Sequence, residues 1–213
     1  MDRGRFFVFE GTEGSGKSTQ VRWLAERLTA AGLTVRTTRE PGGTGLGEAV
    51  RQILLSEAFG EIDPRTEALL HTAARAEHVA RLIQPELERG THVISDRFLD
   101  STLAYQGGGS GLSLSDLRAL QRFAVGGIEP DQRILLVTSV EEGLRRRFSD
   151  SSSINRLDRV ELGFHQRVAA TFEALAKQDP DHWIVVDGEQ SAELVTAQIV
   201  TAISERHPGL GLS

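Results

Sequence analysis

Short apolar stretches rich in β-branched and aromatic residues recur along the chain, and longer amphipathic segments separate them. The apolar stretches lie at 5–10, 33–38, 92–95, 134–138 and 183–187, and each is short enough to form a buried strand. Helical periodicity covers 17–31, 45–56, 64–89, 113–125, 140–148, 159–178 and 192–206. This alternation predicts an α/β fold: a five-stranded parallel sheet with helices on both faces and ligand sites at the carboxyl ends of the strands.

Two polar stretches between these segments predict flexible loops. Residues 106–112 include four glycines, and residues 149–155 are almost all Ser, Asp and Asn. Pro64 is suited to a first helical turn. No internal repeat is present and no linker separates two halves, so we expect a single domain over 1–213.

Composition narrows the possible functions. The 213 residues are 39% hydrophobic and 25% charged, as in an ordinary globular protein. No apolar run approaches the roughly 20 residues of a membrane span, and the first ten residues do not resemble a signal peptide. We therefore expect a cytoplasmic protein without a membrane partner. The absence of cysteine excludes disulfides and thiolate metal sites. A net charge of −6 disfavours nucleic-acid binding but allows a local cationic pocket.

The sequence GTEGSGKS at 11–18 has the spacing of a phosphate-binding P-loop, placed where a strand gives way to a helix. Glycines let backbone N–H groups turn toward phosphate oxygens, and the helix N-terminus adds positive potential. The predicted ATP-phosphate site comprises Gly11, Thr12, Glu13, Gly14, Ser15, Gly16, Lys17, Ser18 and Thr19. Of the 24 basic residues only Lys17 and Lys177 are lysines, so Lys17 stands out. A glycine-rich turn followed by a helix cap is the alternative interpretation.

Four motifs resemble the thymidylate kinase family over nearly the whole chain. They are FEG at 9–11, REPGGT at 39–44, DRFLDSTLAYQG at 96–107, and RLDRVE at 156–161 followed by Phe164, Arg167 and Val168. The resemblance implies a P-loop nucleoside-monophosphate-kinase fold and transfer of the γ-phosphoryl group of ATP to dTMP, giving dTDP and ADP in dTTP biosynthesis. It also implies Mg²⁺ as cofactor and a homodimer as the assembly.

Asp96 and Arg97 follow the third predicted strand and should emerge at the carboxyl edge of the sheet. From there Asp96 can reach magnesium together with the Ser18 hydroxyl, directly or through water. A helix cap is the alternative role for Asp96. The resemblance implies that Arg97 clamps the dTMP phosphate, which suits a planar bidentate donor. A surface arginine is the alternative.

The resemblance further implies an acceptor site around the nucleoside. Its residues are Glu13, Glu40, Pro41, Arg51, His71, Arg75, Arg97, Ser101, Tyr105 and Gln106. If residues 99–105 are helical, Ser101 and Tyr105 share one face. In the family the tyrosine leaves little room for a ribose 2′-hydroxyl. Core packing of the Tyr105 ring is the alternative. Glu13 would be costly beside a polyphosphate and is expected to accept a hydrogen bond from a sugar hydroxyl.

His71 and Arg75 are four residues apart on the predicted long helix and therefore project from the same face. The resemblance implies that Arg75 donates to a base carbonyl while an aromatic ring at 71 stacks on thymine. Phenylalanine is usual at this position, and histidine here is a departure from the family pattern. A neutral imidazole can stack but buries less apolar area. A helix histidine without a ligand role is the alternative.

Family members supply a catalytic arginine either from the P-loop or from a lid over ATP. This P-loop contains Glu13 and no arginine, which indicates the bacterial type with the arginine in the lid, here about 147–160. Arg156 is the expected catalytic arginine, and Arg147 and Arg159 are lesser candidates. Lys17, Arg97 and Arg156 would then act by positioning and charge neutralisation, without a general base.

Two other functions fit part of the sequence. A related P-loop kinase with another nucleotide or nucleoside as acceptor is kept open by His71. A nucleotide-dependent switch would use the same P-loop but has no evident need for Arg97 and Tyr105. The Asn-Lys-x-Asp signature of guanine binding is absent from the sequence, which favours ATP as donor.

Overall fold

The computed structural model describes residues 3–149 and 160–212 and contains one parallel sheet. Its strands are β1 (Phe6–Glu10), β2 (Val35–Arg39), β3 (His92–Asp96), β4 (Gln132–Val137) and β5 (Trp183–Asp187). They are arranged in the order β2-β3-β1-β4-β5 and pair in parallel throughout. The predicted five-stranded parallel sheet is confirmed, with strand ends within about two residues of the predicted ones, the usual scatter of such boundaries.

Helices follow the strands in the predicted order. They are α1 (Lys17–Ala30), α2 (Gly45–Leu55), α3 (Pro64–His78), α4 (Gln84–Glu88), α5 (Leu99–Thr102), α6 (Leu114–Val125), α7 (Val140–Ser149), α8 (Leu162–Gln178) and α9 (Ala192–Arg206). Pro64 occupies the first turn of α3 behind the capping side chain of Asp63, as expected. The predicted continuous helix 64–89 is wrong in one respect, because a π-helical turn, Val79–Ile83, joins α3 to α4. In the part of the chain that is described, no helix is long and apolar enough to cross a membrane.

Strand β1 shows why the sheet is covered on both faces. Phe7 and Phe9 pack into one core with α1 and α9, while Phe6 and Val8 point to the other face and pack against residues 79–87. All four side chains are fully buried, and burial of a phenylalanine stabilises a fold by up to about 3 kcal/mol. The P-loop that follows β1 is thus attached to the most deeply buried strand of the sheet.

The predicted flexible loop at 106–112 is wrong over most of its length. Residues Leu103–Gly109 form a π-helical turn that continues α5 and packs on α8. A Cβ on Gly108 would lie 1.9 Å from Thr171 Oγ1, and one on Gly109 would lie 2.4 Å from Phe164 Cε2. These glycines therefore allow close approach of two helices, whereas their composition suggested flexibility.

Part of the predicted lid lies outside the described residues. Ser149 is the last residue of α7, and the rest of the predicted loop 149–155 is outside them. The predicted helix 159–178 is described from Leu162 onward.

Candidate active site

The P-loop adopts a conformation that its glycines permit. Gly11, Gly14 and Gly16 have φ angles of 141°, 69° and 94°, in the region that disfavours residues with a Cβ. Helix α1 begins immediately afterwards at Lys17, and the first N–H groups of a helix have no partner within it. The chain thus presents backbone donors and the positive end of a helix at the carboxyl edge of β1, the arrangement that binds phosphate.

The Lys17 ammonium group is folded back onto the P-loop. Its Nζ donates to the carbonyl oxygens of Gly11 and Thr12, at 3.0 and 2.7 Å, and to Ser15 Oγ at 3.3 Å. Burial, aided by the nearby Arg97 cation, lowers the pKa of Lys17 to about 8. Its three acceptors are uncharged, so phosphate oxygens would be stronger partners for the same donor.

Ser18 and Asp96 meet where β1 and β3 end. The Ser18 hydroxyl donates to Asp96 Oδ2 at 2.9 Å, and Asp96 lies beside Phe9 in the register of the two strands. The described residues contain no cluster of three or more His, Cys, Asp and Glu side chains that would hold a metal alone. Two oxygen ligands nevertheless fit Mg²⁺, which commonly binds few protein groups and takes its other ligands from phosphates and water.

Arg97 is held by a dense set of contacts and has an unusual backbone conformation. Its φ angle is 73°, in the left-handed region that a residue other than glycine seldom adopts. Nη1 donates to Gly11 O at 3.0 Å and to Ser101 Oγ at 3.2 Å, and Nη2 donates to Tyr105 OH at 2.9 Å. The guanidinium carbon also lies 4.8 Å from the centre of the Tyr105 ring. Ser101 and Tyr105 therefore share a face, as predicted, and both hold Arg97.

Glu13 faces Arg97 from the P-loop. Its Oε1 accepts from Tyr105 OH at 2.6 Å and from Arg97 Nη2 at 3.2 Å. Its Oε2 is buried without a hydrogen bond from any described residue, and His165 Nδ1 lies 3.6 Å away. Burial alone would raise the pKa of Glu13, but His165, Arg97 and Lys17 lower it to about 2. Glu13 is thus a buried carboxylate whose Oε1 faces Arg97 and Tyr105 and whose Oε2 faces His165.

Glu10, which the sequence did not single out as a site residue, forms hydrogen bonds to the segment that follows Arg97. Its fully buried carboxyl accepts from the backbone N–H of Phe98 at 2.9 Å and from the Ser101 hydroxyl at 2.6 Å. Burial raises the pKa of Glu10 to about 8, with a further contribution from Asp100. The FEG motif contained this residue, but nothing in its spacing indicated that it faces inward.

Arg75 and Glu40 form a buried ion pair at the far end of the cavity. Arg75 is 1% exposed, and its Nε donates to Glu40 Oε2 at 2.7 Å. Nη1 donates to Thr102 Oγ1 at 3.0 Å and also to Gln121, and Nη2 donates to Phe98 O at 2.9 Å. One N–H of Nη2 has no acceptor within the described residues, so Arg75 keeps one donor for a ligand.

These groups line one cavity of about 270 Å³. The predicted site residues that line it are Glu13, Gly14, Lys17, Ser18, Glu40, Pro41, Arg51, His71, Arg75, Asp96, Arg97, Ser101, Tyr105 and Gln106. Six cationic side chains face three carboxylates there, since Arg39 and Arg147 join the predicted arginines and Lys17. The cavity is therefore locally cationic in a chain of net charge −6, which suits a phosphate ester.

The structure does not bring every predicted residue to this cavity. Gly11, Thr12, Ser15, Gly16 and Thr19 form the P-loop and the start of α1 but do not line it. Arg147 does line it, whereas Arg156 and Arg159 lie outside the described residues. Thr102, Leu54 and Leu55 line it without having been predicted. Thr102 lies inside the 96–107 motif, and this could have identified it as a site residue.

Known proteins similar to this chain agree on one family. The sequence model of the family described as Thymidylate kinase matches residues 9–199. Thymidylate kinase of Thermomicrobium roseum is 52% identical over 201 residues, covering 94% of both chains. That of Pseudomonas fluorescens is 46% identical over 203 residues, covering 94% of this chain and 95% of its own. The crystal structure of thymidylate kinase from Ehrlichia chaffeensis matches with a TM-score of 0.78 at 33% identity, covering 95% of this chain and 99% of its own.

Proposed function

The chain belongs to the thymidylate kinase family, and on this premise we propose which of its residues carry out the family's reaction. The fold is that of the P-loop nucleoside monophosphate kinases. The reaction, transfer of the γ-phosphoryl group of ATP to dTMP, follows from the family. Phosphoryl transfer needs little covalent chemistry from a protein, so the assignment concerns positioning and charge.

One observation supports the assignment of Lys17 to the ATP side of the site and of Arg97 to the dTMP side. Lys17 Nζ and Arg97 Nη1 each lie 3.0 Å from the same atom, the carbonyl oxygen of Gly11. Lys17 belongs to the P-loop, where ATP phosphates bind, and Arg97 belongs to the β3 edge beside the nucleoside cavity. Two cations that share one acceptor are close enough to contact the transferred group and the acceptor phosphate at once.

On the donor side, Lys17 exchanges its carbonyl acceptors for oxygens of the β- and γ-phosphates. Ser18 and Asp96, 2.9 Å apart, are the residues that would hold Mg²⁺. When bound there, Mg²⁺ would neutralise charge on the phosphates. The P-loop backbone and the N-terminus of α1 supply the remaining donors.

On the acceptor side, Arg97 binds the dTMP phosphate with its planar fork, in which an Nη2 hydrogen exchanges Glu13 or Tyr105 for a phosphate oxygen. Glu13, Ser101 and Tyr105 fix the guanidinium, so little rotational freedom is lost when the phosphate arrives. Glu13, which lines the cavity, accepts a hydrogen bond from a deoxyribose hydroxyl. The acceptor is already a phosphate dianion near neutral pH, so no general base is required.

At the base end, the remaining N–H of Arg75 donates to a thymine carbonyl. His71 lines the same cavity, half-buried, and stacks on the base in place of the usual phenylalanine. Gln106 and the ring of Tyr105 close the sides of this subsite. Pro41 and Arg51 also line the cavity, and Arg51 Nη1 donates to Pro41 O at 3.1 Å.

Arg156 is proposed as the catalytic arginine on the grounds of sequence alone, because it lies outside the described residues. Its motif stands in the segment between α7 and α8. Arg147, at the end of α7, already lines the cavity and is the alternative. Each arginine is replaced by alanine separately, and kcat is measured at saturating ATP and dTMP. The variant with the lower kcat identifies the catalytic arginine.

The assembly is proposed to be a homodimer of single-domain chains that act in the cytoplasm, where ATP and dTMP are present. Three helices that pack together each expose an apolar side chain: Ile53 on α2, Leu69 on α3 and Phe123 on α6. Phe123 is 87% exposed, and exposure of so large an apolar side chain to water is energetically unfavourable. Sedimentation of Phe123→Glu should show a monomer where the parent chain is a dimer.

The activity is tested with an ADP-release assay containing ATP and Mg²⁺. The acceptors are dTMP, dUMP, dCMP, dAMP, dGMP and thymidine. We expect the highest kcat/KM with dTMP. A higher kcat/KM with another acceptor would overturn the proposed residue assignment at the base end. ATP binding without transfer to any acceptor would overturn the assignment on the acceptor side.

A further inference from the structure

A buried chain of polar groups leads away from the base end of the cavity. Thr38 Oγ1 lies 2.7 Å from His78 Nε2, and His78 Nδ1 lies 2.9 Å from Glu40 Oε1. The other carboxylate oxygen, Glu40 Oε2, accepts from Arg75 Nε at 2.7 Å. His78 is fully buried, and Glu40 is 5% exposed. Neither His78 nor Thr38 lines the cavity, so neither has a role in the assignments above.

The donors and acceptors of this chain fit one arrangement of protons. With Nδ1 protonated, His78 donates to Glu40, and its Nε2 then accepts from the Thr38 hydroxyl. Each hydrogen between these side chains then has an acceptor. Burial would raise the pKa of Glu40, but Arg75 and His78 lower it, so the carboxylate remains charged. A charged carboxylate only accepts, so Glu40 fixes the proton on Nδ1, and the Thr38 hydroxyl holds the other side of the ring at Nε2.

The imidazole also supports the loop that follows Glu40. A Cβ on Gly43 would lie 2.5 Å from His78 Nε2 and 2.6 Å from Thr38 Oγ1, so this loop lies directly against both side chains. Gly43 has a φ angle of 75°, which glycine tolerates best. His78 therefore contacts both ends of the segment 40–43, which includes the cavity residue Pro41.

We propose that His78, oriented by Thr38, is a positioning residue for thymine recognition: it fixes Glu40 and, through Glu40, the guanidinium of Arg75. The inference rests on the proposed role of Arg75 at the base. His78 touches neither substrate.

The geometry of the ion pair explains why this support matters. Arg75 and Glu40 meet through a single hydrogen bond, from Nε to Oε2, and not through the two parallel bonds of a fork. A carboxylate held through one oxygen can still rotate about its bond to the side chain. The hydrogen bond from His78 to Oε1 removes that rotation. Thr38 on β2 and His78 on α3 thereby hold the Glu40 acceptor of Nε in place, and this adds to the bonds that Nη1 and Nη2 make to Thr102, Gln121 and Phe98.

Thr38→Val removes the hydroxyl at the far end of this hydrogen-bonded series of side chains and leaves the side-chain shape unchanged. Its matched control is Thr37→Val, at the exposed neighbouring position of the same strand. The loss of the hydroxyl leaves Nε2 without its hydrogen-bond partner, so the ring is held at Nδ1 alone. We expect the KM for dTMP to rise about tenfold in Thr38→Val, equivalent to about 1.4 kcal/mol, and to stay unchanged in Thr37→Val. The KM for ATP should be unchanged in both.

Two variants at position 78 distinguish positioning from packing. Asn places its amide nitrogen near the former Nδ1 and can still donate to Glu40, whereas Gln reaches the former Nε2 position and cannot. We expect His78→Asn to retain a dTMP KM within about threefold of the parent and His78→Gln to raise it about tenfold or more. The ratio of kcat/KM for dTMP to that for dCMP should fall in His78→Gln, because cytosine has an amino group where thymine offers a carbonyl to Arg75.

Urea unfolding of each variant gives its folded fraction under the assay conditions. If every variant loses kcat in proportion to the loss of folded protein, with both KM values and the dTMP/dCMP ratio unchanged, His78 only packs and the inference is wrong. Equal KM values in Thr38→Val and Thr37→Val contradict it as well. A parent enzyme that prefers another acceptor would overturn the proposed base assignment alone, since the same variants would then raise the KM for that acceptor.

Discussion

The two ends of the cavity are built in opposite ways. Lys17, at the phosphate end, bonds to three residues of its own loop, all within six positions in the sequence. Arg75, at the base end, bonds to Glu40, Phe98, Thr102 and Gln121, which come from three separate parts of the fold. The phosphate end is a local structure attached to the sheet, whereas the base end exists only once the tertiary fold is complete.

Lys17 and Arg75 also differ in the charge of the groups to which they bond. Lys17 is held by uncharged oxygens, and its pKa is lowered to about 8, so a phosphate can readily take it over. Arg75 is paired with a buried carboxylate and keeps one N–H for the ligand. The phosphate end is therefore prepared to exchange partners during the reaction, and the base end is prepared to stay fixed. Changes at the first should affect turnover, and changes at the second should affect selection of the acceptor.

The largest expected effect is at the phosphate end. Lys17→Ala should lower kcat about 10³-fold, because it removes a charge-assisted donor to the transferred group, with little change in the KM for dTMP. Lys177→Ala is the matched control, since Lys177 is the other lysine and its side chain is 78% exposed on α8. Steady-state kinetics with both substrates varied provide the measurement. Near-parental turnover in Lys17→Ala would contradict the exchange of partners proposed for this residue.

The junction of the two ends is tested by Arg97→Lys. Lysine keeps the positive charge but loses the planar fork, so about two charge-assisted hydrogen bonds of about 1.5 kcal/mol each disappear. We expect kcat/KM for dTMP to fall about 100-fold. Arg122→Lys, at an exposed position of α6, should leave it unchanged. A similar result for both variants would mean that charge alone, and not the fork, serves the acceptor phosphate.

A smaller effect is expected at the base end, where the site departs from the family pattern. His71→Phe restores the usual aromatic ring, and stacking contributes about 0.5–1.5 kcal/mol per aromatic pair. The KM for dTMP should fall about threefold in His71→Phe, and it should rise in His71→Ala. The pair of variants brackets the contribution of stacking. A rise in KM with phenylalanine would show that the imidazole serves the ligand through a hydrogen bond instead.

The smallest effect concerns stability and its dependence on pH. Glu10 has a pKa of about 8 in the folded state and 4.5 as its ordinary value, so the folded state holds the proton more tightly than the unfolded chain. Its contribution to the free energy of unfolding is present in full below pH 4.5 and is lost as the pH rises to about 8. Glu10→Gln cannot ionise and should therefore lose less stability than the parent between pH 6 and pH 9.

Urea unfolding at the two pH values measures this difference. Glu26→Gln, at an exposed position of α1, controls for a change of net charge. Parallel stability profiles for the parent and Glu10→Gln would show that Glu10 is already ionised at pH 6.

The same contrast explains what the sequence could predict. The P-loop was predictable because eight consecutive residues specify both its backbone and its chemistry. Strands β1, β3, β4 and β5 were predictable because each is mostly buried and contains an apolar run. The edge strand β2 is half-exposed, and its β-branched residues were the signal for it. The site residues around Arg97 came from a contiguous family motif, and the structure brings them together.

What the sequence did not predict depends on contacts between distant segments. The glycines at 107–109 suggested a flexible loop, because nothing nearby in the sequence shows that Phe164 and Thr171 on α8 pack against them. His78 was overlooked although it lies three residues after Arg75 and so on the same helical face. Its partners, Thr38 and Glu40, are about 40 positions away in the sequence, and no local pattern links them.

The placement of the two lysines has a practical consequence for work with this protein. Lys17 is 7% exposed and bound to three oxygens, whereas Lys177 extends from α8 with 78% of its side chain exposed. Amine-directed dyes or resins should therefore attach at the α-amino group near neutral pH and also at Lys177 at higher pH. With no cysteine in the chain, one introduced thiol provides a second and chemically independent labelling position. Distance measurements between two probes thus need no prior removal of native reactive groups.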